Sequence, residues 1–185
     1  MSLKYSGLSS LFLAAAALLA APVAQAQRLP YIPAAAQTGP AATCWQGAAN
    51  YHGVDVWLLY SVAWVESNMR PSQIGKNKNG TLDLGMMQIN TIWLPQLARY
   101  GISREQLLDG CTSIYVGAWI MSKNIRSMGY NWRAIGAYNS RTPSIGYRYA
   151  LKVYEAHSRF TGMPTIYQGS APGITQASTK TGIPR

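Results

Sequence analysis

Ile114, Ala118, Met121, Ile125 and Met128 follow one another at steps of four, three, four and three residues, and Gly129 comes directly after them. That spacing keeps one apolar side chain per turn on a single face of an α-helix. A stripe this long has to be buried against other elements, so the chain must fold by packing helices. Gly129 supplies the C-terminal stop. The surrounding segments agree. Asp55 predicts the N-cap of a helix running to about Asn68, with Pro71 just beyond it. Ser103 and Gln106 have capping-box spacing ahead of Leu107 and Leu108. A short helix is predicted over about Trp132 to Tyr138. A last helix opens at Thr142-Pro143 with proline at its first position, and Ile145, Tyr149, Val153, Ala156 and Phe160 form its inner face. One stretch departs from this rule. Lys76-Asn77-Lys78-Asn79-Gly80 is a polar turn, and Thr81-Leu82-Asp83-Leu84 then alternates, which predicts a small β-hairpin or irregular loop set among the helices. The fold class is therefore mainly α with a small β insertion.

The ends of the chain read differently. Lys4, the apolar run from Leu8 to Ala21 and Ala24-Gln25-Ala26 have the layout of a cleavable export signal over residues 1–26. Residues 27–43 are rich in Ala, Pro, Gln and Thr and read as a linker. Residues 161–185, with many Gly, Pro, Thr and Ser and no acidic residue, read as a disordered basic tail. The compact domain is then 44–160, and it holds all 6 acidic residues. Export places the chain in the periplasm. In an oxidising compartment the two cysteines, Cys44 and Cys111, are expected to pair, closing a loop of about 67 residues worth roughly 4 kcal/mol by chain entropy. Neither cysteine has histidine company at metal-ligand spacing, so no metal or other cofactor is expected.

The helix that Asp55 opens carries the residue most informative about chemistry. Leu59, Val62 and Ala63 share one face, and Glu66 continues it one turn on. A carboxylate on an apolar stripe is costly unless it is paired or faces a cleft. Desolvation raises its pKa and keeps a proton available near neutral pH, which suits a general acid. The alternative is a helix-end glutamate pointing into solvent. The following residues bear on this choice. Gly85-Met86-Met87-Gln88-Ile89-Asn90 offers neutral hydrogen-bonding groups at Gln88 and Asn90, and methionines able to floor a groove. Ala137-Tyr138-Asn139 offers a phenol able to hold the Glu66 carboxyl.

In this order, Glu66-Ser67, then GMMQIN, then AYN, the chain resembles the soluble lytic transglycosylase family, whose catalytic domain is similar to goose-type lysozyme. It is most similar to the small exported members that accompany secretion, conjugation and pilus systems. The resemblance spans about Cys44 to Phe160. It implies a lysozyme-like fold with the hairpin lining a glycan cleft, and cleavage of the β-1,4 bond between N-acetylmuramic acid and N-acetylglucosamine in peptidoglycan with formation of a 1,6-anhydro ring. It implies Glu66 as acid and then base, and Tyr138 as the residue orienting Glu66. Ser67, Met87, Gln88, Asn90 and Asn139 would contact sugar. Two positions depart from the family pattern. The third motif, commonly AYN-Ala-Gly, continues here as Ser140-Arg141, and Met86 stands where leucine is usual.

Asp83 is the second carboxylate of interest. Some small secretion-associated members have an aspartate here, reminiscent of the second lysozyme carboxylate. It would stabilise positive charge on the sugar or raise the Glu66 pKa; the plain alternative is a turn residue bonded to its own backbone. The chain carries a formal charge of +10, which falls to +9 once Lys4 leaves with the leader. In an exported protein without a nucleic-acid motif, that charge predicts attraction to the acidic groups of the wall rather than to nucleic acid. The expected state is a monomer without stable membrane insertion, with peptidoglycan strands and envelope-spanning components as partners. The alternatives kept open are a hydrolytic muramidase on the same fold and a non-catalytic wall-binding assembly factor.

Overall fold

The computed structural model describes residues 41–162. The export signal, the linker up to residue 40 and the tail beyond Gly162 lie outside the described residues. Within them the order is α1 (Ala41–His52), α2 (Val56–Ser67), β1 (Ile74–Lys76), β2 (Leu82–Leu84), β3 (Ile89–Asn90), α3 (Leu94–Leu97), α4 (Gly110–Met128), α5 (Trp132–Gly136) and α6 (Pro143–Thr161). Short 3₁₀ turns flank α3 and precede α4. The mainly helical, lysozyme-like class read from the sequence is the observed one.

Several boundaries follow from local chemistry. Asp55 caps α2, its Oδ1 accepting from the Leu58 N–H at 2.8 Å. Asp109 does the same for α4 through Thr112 at 2.8 Å, and Asn131 for α5 through Ala134 at 3.0 Å. Each cap satisfies an N–H that the first turn leaves without an intrahelical partner. The capping box at Ser103 and Gln106 forms reciprocally, with Ser103 N–H donating to Gln106 Oε1 and Gln106 N–H to Ser103 Oγ. It opens only the 3₁₀ turn Gln106–Leu108, because Asp109 starts a new helix at once.

Three features differ from the sequence expectation. The helix α1 begins at Ala41, inside the segment read as linker; its alanines suit a helix as well as a linker. The central helix α4 is buried all round from Cys111 to Ser122 rather than along one stripe. Ile145 is 42% exposed, so the inner face of α6 starts at Gly146 and Tyr149. The packing then follows. α1 lies on α4, joined to it by the Cys44–Cys111 disulfide, and α6 packs against α2 and α5. Leu59 and Val62 of α2, Ile114 and Met121 of α4 and Val153 of α6 meet in the core. The insertion is a three-stranded antiparallel sheet in the order β1-β2-β3. Its register sets Asp83 opposite both Gly75 and Asn90.

A candidate active-site cleft

Glu66 stands in the last turn of α2, on the face where Leu59, Val62 and Ala63 are fully buried. The helix stops one residue later, at Ser67, because Asn68 and Met69 take left-handed backbone angles, φ 52° and 64°. Glu66 is partly buried and lines a cleft of about 360 Å³ between the sheet and the α5–α6 connection. It does not point freely into solvent. Burial pushes its pKa up to about 7, aided by the nearby negative charge of Asp83 and opposed by a bond from Tyr149 and by Lys152. Glu66 therefore keeps a proton available near neutral pH.

The bond from Tyr149 is the contact that fixes this carboxyl. The Tyr149 hydroxyl donates to Glu66 Oε1 at 2.6 Å. Tyr149 is buried on the inner face of α6, and burial raises its own pKa well above the ordinary phenol value, so it remains a donor. The sequence reading gave this contact to Tyr138, and there the structure differs. The Tyr138 hydroxyl donates to the backbone carbonyl of Met87 at 2.9 Å, and its ring stacks on that of Tyr149 at 6.4 Å and 12°. Tyr138 thus acts at one remove. Periodicity marked Tyr149 as a core residue; the unused signal was that a buried tyrosine hydroxyl needs a partner.

The loop carrying GMMQIN is held from three sides. Gly85 has φ 75°, and a side chain there would run into the Leu107 carbonyl, so glycine is required. Ser67 Oγ donates to Met86 O at 2.7 Å, and Ser113 Oγ accepts from Met87 N–H at 3.0 Å. Gln88 takes φ 46°, and its Nε2 donates to Gly85 O and Gln73 O. Ser67 is 2% exposed and Met87 is fully buried, and neither lines the cleft. The direct sugar contact expected of these two residues is therefore not where the structure puts them; they support the cleft from behind. Gln88, Asn90, Tyr138 and Asn139 do line it.

Asp83 lines the same cleft from β2. Its Oδ1 accepts from Asn90 Nδ2 at 2.7 Å and its Oδ2 from Asn77 Nδ2 at 2.9 Å. Both amides also reach Thr81 Oγ1 at 3.1 Å. Asp83 is bonded to side-chain amides, not to its own turn backbone. The two amides hold the Asp83 carboxyl group at a fixed place in the cleft. Asn77 was read only as a turn residue; its role needs the hairpin register to be seen. Among the described residues no group of three or more His, Cys, Asp or Glu is gathered to hold a metal ion. The chemistry available in the cleft is one carboxyl poised near neutrality, one carboxylate, and neutral hydrogen-bonding groups.

Comparison with known proteins points the same way. Residues 43–148 match the sequence model described as Transglycosylase SLT domain. The chain is 43% identical to Invasion protein IagB of Salmonella typhimurium over 127 residues, covering 66% of this chain and 79% of that protein. It is 33% identical to X polypeptide of Escherichia coli over 151 residues, covering 78% and 85%. Protein IpgF of Shigella flexneri is 34% identical over 102 residues, covering 55% and 67%.

Proposed function

The chain belongs to the transglycosylase SLT-domain family and is a peptidoglycan lytic transglycosylase, and from that premise we propose how it cuts, with what product and where. Protonated Glu66 is the general acid. The Tyr149 bond occupies Oε1, which leaves Oε2 to carry the proton toward the glycosidic oxygen. Proton transfer breaks the bond between muramoyl C1 and the leaving oxygen. Asp83 stabilises the positive charge that develops at C1. Glu66, now ionised, removes the proton from the muramoyl 6-hydroxyl, whose oxygen closes onto C1 as the 1,6-anhydro ring. The carboxyl ends protonated again, and water is not consumed. Gln88, Asn90 and Asn139 contact the sugars.

The observation that carries this reading is the pairing of a carboxyl at about pKa 7 with a bonded tyrosine in a solvent-open cleft. The second carboxylate, Asp83, favours one rival on the same fold, a hydrolytic muramidase. Mass spectrometry of the released muropeptides distinguishes them. Anhydro ends are the expected result, and reducing ends would give the reaction to water instead. Wall lysis persisting undiminished in Glu66→Gln would remove the acid assignment and favour a wall-binding factor. The export signal and the disulfide support a periplasmic site of action. The similarity to a protein named for invasion supports local wall opening for an envelope-spanning secretion, conjugation or pilus apparatus.

A further inference from the structure

Three basic side chains lie at or beside the cleft. Arg141, on the connection between α5 and α6, lines the cleft and is exposed. Trp93 lines the same cleft, and Lys123 of α4 sets its ammonium 5.4 Å from the Trp93 ring centre and 4.7 Å from that of Trp119. Arg126 follows on α4, its Nη1 donating to Ser122 Oγ at 3.0 Å. These three cations are near enough for Arg126 and Arg141 to join burial in pushing the Lys123 ammonium below its ordinary value. Among the described residues none of the three is in an ion pair within 4.0 Å. Holding like charges together beside a groove costs free energy, and a bound anion offsets that cost.

We propose that Lys123, Arg126 and Arg141 form a subsite for the carboxylates of the peptide stems that hang from the glycan strand. This rests on the peptidoglycan-cleaving reading above and adds to it a preference for strands that carry acidic stems. The substrate supplies the chemistry: each muramoyl residue bears a short peptide with free carboxylates, and a strand lying in the cleft carries those peptides past its ends. Trp93 and Trp119 hold the Lys123 ammonium in place by cation–π contact, which limits its freedom without neutralising it. Arg141 offers a planar fork for a carboxylate.

The test compares wild-type kcat/KM on three purified substrates: strands with intact stems, the same strands with stem carboxylates amidated, and strands stripped of peptide by an amidase. Wild-type protein is expected to cut intact strands about five- to tenfold faster than amidated ones, with the advantage shrinking in high salt. Arg141→Ala and Lys123→Met should each bring that ratio toward one, and Arg141→Lys should retain most of it. A wild-type ratio near one overturns the subsite whether or not any variant folds. Variants that slow intact and amidated strands equally also overturn it. Failure to cut all three substrates would instead remove the peptidoglycan reading on which the subsite depends.

Discussion

At the scale of single residues, the cleft sets the protonation of one carboxyl by opposing influences. Burial and Asp83 raise the Glu66 pKa to about 7, while Tyr149 and Lys152 lower it. An acid that must be protonated to act loses activity as pH rises through its pKa, so the alkaline limb of kcat/KM reports on Glu66. Asp83→Asn removes a negative neighbour and should move that limb to lower pH. Tyr149→Phe removes the bond that favours the ionised form and should move it to higher pH, with kcat lower by about tenfold or more as the carboxyl loses its fixed orientation. Measured pH profiles check both; shifts in the same direction, or none, would contradict the assignment. Glu66 was legible in the sequence because a charge interrupted an apolar stripe. Tyr149 was not, because it continued one, and a stripe cannot tell a packed ring from a packed ring with a working hydroxyl. Ser67 and Met87 were recognised as motif residues, but only coordinates reveal that they face inward.

At the scale of elements, the cleft depends on how closely α5 approaches α6. A side-chain carbon on Gly136 would come within 2.5 Å of the Gly146 carbonyl oxygen, and one on Gly146 within 2.6 Å of the Ser140 carbonyl. Backbone is not free to yield as a flexible side chain would be. Gly146→Ala should therefore separate the helices. Tyr149 lies three residues further along α6, so the same movement should draw its hydroxyl away from Glu66. The expected outcome is a loss of about 1–3 kcal/mol in stability, together with a fall in kcat larger than any change in KM. Denaturant titration and steady-state kinetics on the same preparation test this; full activity in a destabilised protein would uncouple the contact from the site. The helices themselves were largely legible, since Asp55, Gly129 and the Thr142-Pro143 step mark their ends by local chemistry, while the caps at Asp109 and Asn131 emerge only in the folded chain. The Gly136–Gly146 approach was not, because it depends on two glycines meeting across a turn rather than on any repeat.

At the scale of the whole molecule, the disulfide ties the first described helix to the central one. Cys44 lies in α1, and Cys111 stands in the first turn of α4 two residues before Ser113, whose hydroxyl holds the Met87 N–H. Met87 in turn carries the carbonyl that receives the Tyr138 hydroxyl. A chain of contacts thus runs from the cross-link, through the start of α4, to the loop under the cleft. The pairing of the cysteines was legible from their even number in a chain whose first residues read as an export signal, whereas this route was not, because nothing in the spacing of α4 sets Ser113 apart. Replacing both cysteines by serine should lower stability by about 2–5 kcal/mol, chiefly by freeing the unfolded chain. Urea titration with and without a reductant measures that loss. The same variant should exchange the Met87 amide hydrogen faster than wild type while amides at the middle of α4 change less, since the loosening begins at the cross-linked end. An unmoved urea midpoint would make the cross-link incidental. A shifted midpoint with unchanged Met87 exchange would confine its effect to the unfolded chain, and the cleft would then owe its shape to helix packing alone.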